Sequence, residues 1–310
     1  MKRFDVLVLG DYCYDLIFTD LPSLPALGSE RVAGGFAVIP GGAYNAAVAL
    51  HRLGMKVGWA ADFGEDAFSR FVLEHLRDEQ LEDSLFVHHA RPLRRVTVAL
   101  SFPTDRAFVA FYDPPPSFPA AIKALAVAHA SAVYVEGLYV GHFMEPALRM
   151  VRAKGMKIIM DGNTSEEMSL KDPAVAKVLK AVDVFLPNAQ EACHLAGVGE
   201  VEEATLILAK HCSLAVVKDG GRGAFSAVDG RLLHVPALPV NAVETTGAGD
   251  TFNAGFTCAW LEGRPLEECL RWGNIVGGLS TLAPGGTGQR VARSDVDTWL
   301  RKLCSDPTNP

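Results

Sequence analysis

Hydrophobic and polar positions fall into two alternating registers along this chain. Runs at 6–9, 56–60, 132–135, 157–160, 184–186 and 215–218 are short and largely apolar, the pattern of strands buried on both faces. Between them, stretches at 45–53, 66–79, 145–154, 172–180, 191–196 and 202–211 carry helical patterns. In the second of these, Phe68, Phe71, Val72, His75 and Leu76 fall along one face. Two more helices are expected at 250–261 and 266–279. Strand–helix alternation of this kind predicts an α/β fold with a mostly parallel sheet, whose ligands bind outside the carboxyl ends of the strands.

Two segments, 17–39 and 94–112, break the rhythm. They hold no good helix but carry strand-like patches, with a turn expected at Pro103-Thr104-Asp105. Such hairpins either pair into one small sheet beside the core, a lid, or stand apart as unrelated edge hairpins. Pro114-Pro115-Pro116 marks the exit from the second, and 305–310 is expected to fray. The expected organisation is one domain over 1–310. Its lid comes from about 12–39 and 92–112, and its core from about 1–11, 40–91 and 113–304.

Composition narrows the partners. With 29 basic against 36 acidic residues the chain carries −7, which argues against a nucleic-acid or anionic-membrane binder. Two long uncharged stretches, 32–50 and 272–289, are broken by glycine and proline and make no lipid-facing helix. The opening basic and apolar run is too short for a secretory signal, and the six cysteines are scattered without a C-x-x-C pair. These features predict reduced thiols, a cytoplasmic location and a small-molecule enzyme. The nine histidines show no metal-ligand spacing. His88-His89 reads as a polar surface pair, and Arg91, Arg94 and Arg95 as a solvated lid face.

The most informative stretch is Val243-Glu244-Thr245-Thr246-Gly247-Ala248-Gly249-Asp250-Thr251-Phe252, a loop of small residues leading into a helix. Its glycines let backbone N–H groups approach a ligand, and the helix start adds the positive end of its dipole, which together make an anion hole. Asp250 stands where it caps that helix or, beside an anion hole, takes a proton from a hydroxyl attacking phosphorus. The residues alone leave both roles open. No G-x-x-x-x-G-K-[ST] occurs, and Gly10-Asp11-Tyr12 stands where a dinucleotide fold needs G-x-G-x-x-G. A second stretch, Pro40-Gly41-Gly42-Ala43-Tyr44-Asn45, opens an Ala-rich helix that stops at Gly54. It either presents amides to a polar ligand or packs a helix start tightly.

In these motifs the chain resembles the ribokinase-like (PfkB) carbohydrate kinases. Gly41-Gly42, Asn45, Ala47, Ala49 and Arg52-Leu53-Gly54 match that family's N-terminal signature, and Thr245 to Phe252 its C-terminal one. Asn188-Ala189-Gln190-Glu191 matches its N-x-x-E, and Gly220-Gly221-Arg222-Gly223 its G-x-x-G nucleotide loop; the likeness runs from about 4 to 300. The resemblance implies a three-layer core with a small β-sheet lid, and ATP-dependent phosphorylation of a hydroxyl on a sugar or polyol. It implies Asp250 as base, with the Gly247, Ala248 and Gly249 amides holding charge on the phosphoryl group. Asn188 and Glu191 would organise Mg²⁺ and the phosphates, largely through water. Lys218, Gly220, Gly223 and Asn274 would border the nucleotide. Asp15, Gly41, Gly42 and Asn45 would hold the acceptor, with Asp11 and Glu136 as further candidates whose alternatives are capping and structural roles. A lid sheet shared between two subunits would make a homodimer.

Three departures matter. Glu244 replaces the Asp that in relatives helps hold a monovalent cation such as K⁺, so K⁺ dependence through Glu244 and Thr246 stays open. Lys218 and Asp219 stand where apolar or hydroxyl residues are common. Asp161-Gly162-Asn163-Thr164-Ser165 keeps the Asp and Asn of D-x-N-x-R without its Arg. Two other functions compete with the sugar kinase. One is a nucleoside kinase of the same family, with Phe102, Phe108, Phe111 or Tyr112 stacking a base; the other is a catalytically silent sugar- or nucleotide-binding protein.

Overall fold

Apolar runs flanked by turn residues become strands, and the periodic stretches between them become helices. The chain proceeds through β1 (Lys2–Leu9), β2 (Tyr12–Thr19), β3 (Gly35–Gly42), α1 (Ala43–Arg52), β4 (Val57–Ala60), β5 (Asp62–Gly64) and α2 (Ala67–Glu79). It continues as β6 (Val87–His89), β7 (Arg95–Ser101), β8 (Arg106–Tyr112), α3 (Pro119–Val127), β9 (Ala128–Val135), α4 (Met144–Ala153), β10 (Lys157–Asp161) and α5 (Pro173–Lys180). Next come β11 (Val184–Leu186), α6 (Ala189–Ala196), α7 (Val201–Leu208), β12 (Val216–Lys218), β13 (Ala224–Val228) and β14 (Arg231–Val235). The last elements are α8 (Ala248–Leu261), α9 (Leu266–Ser280) and α10 (Arg293–Ser305). This computed structural model describes residues 2–103, 106–114, 119–165 and 167–305, without the side chains of 304 and 305. The expected turn at Pro103-Thr104-Asp105, the Pro114-Pro115-Pro116 exit and the 305–310 tail lie wholly or partly outside the described residues.

The core sheet runs β11-β10-β9-β1-β4, with every pairing parallel. Because side chains alternate across a strand, β1 feeds both faces. Val6 and Val8 join the cluster built with α1, α8 and α9, whereas Leu7 joins the cluster built with α3 to α7. Each buried side chain of this size contributes about 1.5–3 kcal/mol, so the two faces hold the three layers together without covalent links. The run at 215–218 is not a simple further strand of that sheet. It touches β11 through parallel bridges at Phe185–Ala215 and Asn188–Lys218, then pairs antiparallel with the β13–β14 hairpin.

The two irregular segments form one sheet, ordered β3-β2-β7-β8. Two antiparallel hairpins are joined by a parallel pairing of β2 with β7. β2 begins at Tyr12 and β3 runs through Gly42, so the lid strands extend directly from β1 and into α1. Helix α1 is buried from Ala43 through Leu50, where small side chains allow close approach on all sides.

Two expectations about basic residues need correction. Arg95 is buried, 8% exposed, and its guanidinium lies 2.7 Å from Asp11 Oδ2. A guanidinium is retained there because a carboxylate faces it. His89, on β6 outside the lid sheet, is half-buried rather than fully at the surface: it sits 2.7 Å from the buried Asp62 carboxylate, while His88 is exposed.

Candidate active site

At the carboxyl ends of the core strands, beneath the lid, lies a cavity of about 600 Å³. Gly42, Arg106, Glu136, Asp161 and Asp250 line it, as do Asn188, Glu191, Lys218, Gly220, Gly223 and Asn274. Gly247, Ala248 and Gly249 complete the wall. The motifs separated in sequence therefore converge. Asp15, Gly41, Asn45, Glu244 and Thr246 stand just behind this surface.

Helix α8 begins at Ala248, earlier than the expected 250, with Gly247 as its N-cap at φ +75°. A Cβ at Gly247 would lie 2.6 Å from Gly286 Cα and 2.7 Å from Asn45 Nδ2, so both sterics and backbone conformation require glycine. Asp250 consequently sits inside the first turn and caps nothing. Its Oδ2 accepts a hydrogen bond from Asn45 Nδ2 at 2.9 Å, a contact between the N- and C-terminal signatures. Burial first, and Asp161 next, push its carboxyl up to about 7, against the Asn45 hydrogen bond and the Lys218 charge. The anion loop is not uniform. The Ala248 N–H donates to Thr245 O at 3.2 Å, whereas Gly247 and Gly249 N–H find no acceptor among the described residues. Those two amides are the better anion donors.

The acceptor side is a crowd of carboxyls. Asp15, on β2, is 5% exposed, and burial with Asp250 and Glu244 nearby raises it to about 7. Gly41, diagonal to it across the β2–β3 pair, carries no side chain because a Cβ there would collide with the Asp15 carboxylate. Glu136, just past β9, accepts from the Asp11 N–H at 2.9 Å and from Tyr139 at 3.3 Å. Burial and Asp11 raise Glu136 to about 8, while burial raises Asp11 to about 6 against Arg95. Asn45 is 2% exposed, and its Oδ1 has no hydrogen-bond partner among the described residues. A buried acceptor left open beside Asp250 suits a hydroxyl donor.

At the other end, Asn188 and Glu191 form a capping box on α6. Asn188 Oδ1 accepts from Glu191 N at 2.9 Å, and Glu191 Oε2 accepts from Asn188 N at 2.8 Å. The Gly220–Arg222 turn carries positive φ at Gly220 and at Gly223 just after it. Asn274 spends its amide donors on the Val235 and Pro236 carbonyls, fixing the wall where β14 ends.

Residues outside the expected site set belong here too, among them Asp161, noted in the sequence only as the Asp of the D-x-N segment at 161–163. Tyr134 Oη accepts from Asn253 Nδ2 at 3.0 Å and reaches Asp161 Oδ2 at 3.4 Å. Asp161 closes strand β10 at its carboxyl end, the position where open α/β sheets place functional side chains, and that was its legible signal. Arg106 comes from the lid and had no linear signal.

Cation sites can be tested against these donors. Among the described residues no three His, Cys, Asp or Glu side chains converge as a metal cage. Glu191 and Asn188 nevertheless line the cavity with oxygens, which suits Mg²⁺ arriving on nucleotide phosphates and held through water. Glu244 turns into its own loop. Its Oε1 accepts from Thr246 N (2.8 Å) and Oγ1 (2.6 Å), and its Oε2 from Gly285 N at 3.0 Å. Of the roughly four lone-pair sites of a carboxylate, that leaves one for a monovalent cation.

The profile of the pfkB family carbohydrate kinases matches residues 3–291. The chain is 26% identical to a ribokinase of Bacillus subtilis over 310 residues, covering 96% of this chain and 99% of that one. The structure of Arabidopsis thaliana ribokinase complexed with ribose and ATP superposes with a TM-score of 0.77 at 21% identity, over 97% of this chain and 99% of that one. An adenosine kinase from Sinorhizobium meliloti gives 0.75 at 21% identity, over 96% and 99%. At such identities the solved structures establish the fold, while the profile spans the anion loop, N-x-x-E and G-x-x-G segments that the cavity brings together. This chain belongs to the pfkB family of carbohydrate kinases.

Proposed function

We propose that this protein transfers the γ-phosphoryl group of ATP to a hydroxyl of a neutral sugar or polyol, with Asp250 as the base. The single observation that carries this reading is the 2.9 Å contact of Asp250 with Asn45, beside the Gly247 and Gly249 amides and on one cavity that reaches the G-x-x-G turn. The acceptor hydroxyl passes its proton to Asp250 as its oxygen bonds to the γ-phosphorus. The bond from that phosphorus to the β,γ-bridging oxygen breaks, and ADP leaves with the electron pair. The loop amides hold the charge on the equatorial oxygens. Asn188 and Glu191 would hold Mg²⁺, which would neutralise phosphate charge when bound. Gly220, Gly223 and Asn274 border the nucleotide. Asp15, Gly41, Gly42, Asn45, Glu136 and Asp11 form the acceptor side. Carboxyls raised toward neutrality can both donate and accept, which favours polyhydroxylated acceptors over anionic ones. With three hydrogen bonds already on the Glu244 carboxylate, K⁺ activates only weakly.

A nucleoside acceptor is the second reading. It is favoured by Phe108 and Tyr112, which alternate in step with the cavity-lining Arg106 on β8, and by the adenosine kinase likeness. The reduced thiols expected of the sequence suit a cytoplasmic enzyme. The deciding experiment is coupled ADP release with Mg-ATP across sugars, polyols and nucleosides, for wild type and Asp250→Asn together. Acceptor-dependent turnover that falls about 10²–10⁴-fold in the variant is expected. A variant that keeps wild-type turnover would remove Asp250 as base, and a preference for nucleosides would promote the second reading.

A further inference from the structure

We propose that Lys218 is the phosphoryl-binding cation of this site: its ammonium, anchored by Asp161 and Asn253 beside Gly249, binds the γ-phosphate of ATP and follows its charge through transfer. The inference rests on the kinase reading above and assigns one residue a specific place within it.

Lys218 ends β12, and its backbone N–H bonds to Pro187 O, immediately before Asn188. From there the side chain, 11% exposed, reaches into the cavity. Nζ lies 2.7 Å from Asp161 Oδ1 and 3.1 Å from Asn253 Oδ1. An ammonium has three donors. Two are taken by those oxygens, and among the described residues nothing takes the third. A Cβ built on Gly249 would lie 3.4 Å from Nζ, so glycine keeps open the space between the ammonium and the first turn of α8. The unspent donor therefore lies close to the first turn of α8, on the same cavity wall as Gly247 and Gly249.

Charge makes the same case. Asp161, Glu191 and Asp250 all line this cavity, and a triphosphate entering it meets three carboxyls. Like charges brought a few ångströms apart in a partly buried cavity repel far more strongly than in water. A buried ammonium held rigid by two partners offsets that repulsion without reorganising during reaction. The competing role is simpler, with Lys218 serving only as the counter-ion of Asp161. Asn253 argues against it, since a neutral oxygen adds nothing to charge balance but does fix where the ammonium points.

The test uses Lys218→Met, and the double variant Asp161→Asn/Lys218→Met, which removes both charges so that no buried carboxylate is left unpaired. Affinities for ATP and ADP are measured by calorimetry beside steady-state kinetics and Tm. The expected result for both variants is a kcat lower by about 10²–10³, the loss typical of one preorganised donor. The ratio of ATP to ADP affinity should drop about tenfold or more, with acceptor KM changed by less than about twofold and Tm largely restored in the double variant. The proposal is overturned if the double variant regains wild-type kcat, or if both variants lose ATP and ADP affinity in equal proportion. A wild-type protein that phosphorylates no acceptor would count against the kinase reading, whereas the ATP-to-ADP ratio reads the γ-phosphate contact independently.

Discussion

At the scale of single residues, the site is governed by where carboxyls are buried. Asp250 is raised to about 7 chiefly because it has left water, and secondarily by Asp161. A base must be ionised to accept a proton, so activity belongs to the high-pH side of that value. kcat/KM, which reports the free enzyme, should therefore fall as pH drops below about 7. Glu136→Gln should leave that acidic limb in place, because Glu136 is not the base. Rates followed by ADP release across pH check this, and a flat profile through neutrality would contradict it. At this scale the sequence marked the glycine loop and Asp250 beside it, since the chemistry of small residues before Asp250 is local. It did not expose Asp161, Asn253 and Tyr134 as one network, because β9, β10, β12 and α8 must assemble before those side chains meet.

At the scale of elements, the lid is tied to the core by charge as well as by chain continuity. Arg95 on β7 faces Asp11, in the turn between β1 and β2. Asp11 in turn donates its N–H to Glu136 after β9. Replacing Arg95 with Met would leave Asp11 beside Glu136 with no counter-charge. The expected cost is about 1.5–3 kcal/mol of stability together with a raised acceptor KM. Asp11→Asn in the same chain should recover most of the stability; denaturant unfolding and acceptor titration read the two effects separately. Sequence patterning placed the hairpin segments correctly but read Arg95 as solvated, because a basic residue in a polar run looks exposed until its partner strand is known. The β13–β14 hairpin was also hidden, as its five-residue strands are too short to show a clear alternation, four consecutive positions of β13 being buried.

At the scale of the whole molecule, burying several carboxyls in one cavity couples folding to protons. Asp15 and Asp250 rise from 3.8 to about 7, and Glu136 from 4.5 to about 8. Between those values the folded protein holds more protons than the unfolded chain, so their contribution to stability is greatest at the acid end and is lost as pH rises through the window. The ligand-free protein should unfold at lower urea near pH 8 than near pH 5.5, and Asp15→Asn with Glu136→Gln should flatten that difference. A rise in stability toward pH 8 that these substitutions leave untouched would refute the assignment. A second whole-molecule expectation concerns β8, an edge strand with Phe108, Val109, Phe111 and Tyr112 all more than half exposed. An apolar edge of this kind is normally covered. We expect a second copy of the chain to cover it, and sedimentation equilibrium should give twice 33.2 kDa. A monomer at micromolar concentration would remove this expectation. No helix among the described residues is long and apolar enough to cross a membrane.

What the sequence determined alone is what short-range physics encodes. Buried parallel strands announce themselves as β-branched runs, helices by their period, and the anion loop by its glycines, of which Gly247 sits at positive φ. The family resemblance added the order of the motifs. Tertiary structure decided which charges meet. Asn45 reaches Asp250, Arg95 reaches Asp11 and Lys218 reaches Asp161 across separations of 205, 84 and 57 residues. Ionisation, and with it the division of labour among these groups, depends on burial and on neighbours a few ångströms away. Neither quantity exists until the strands and helices have packed.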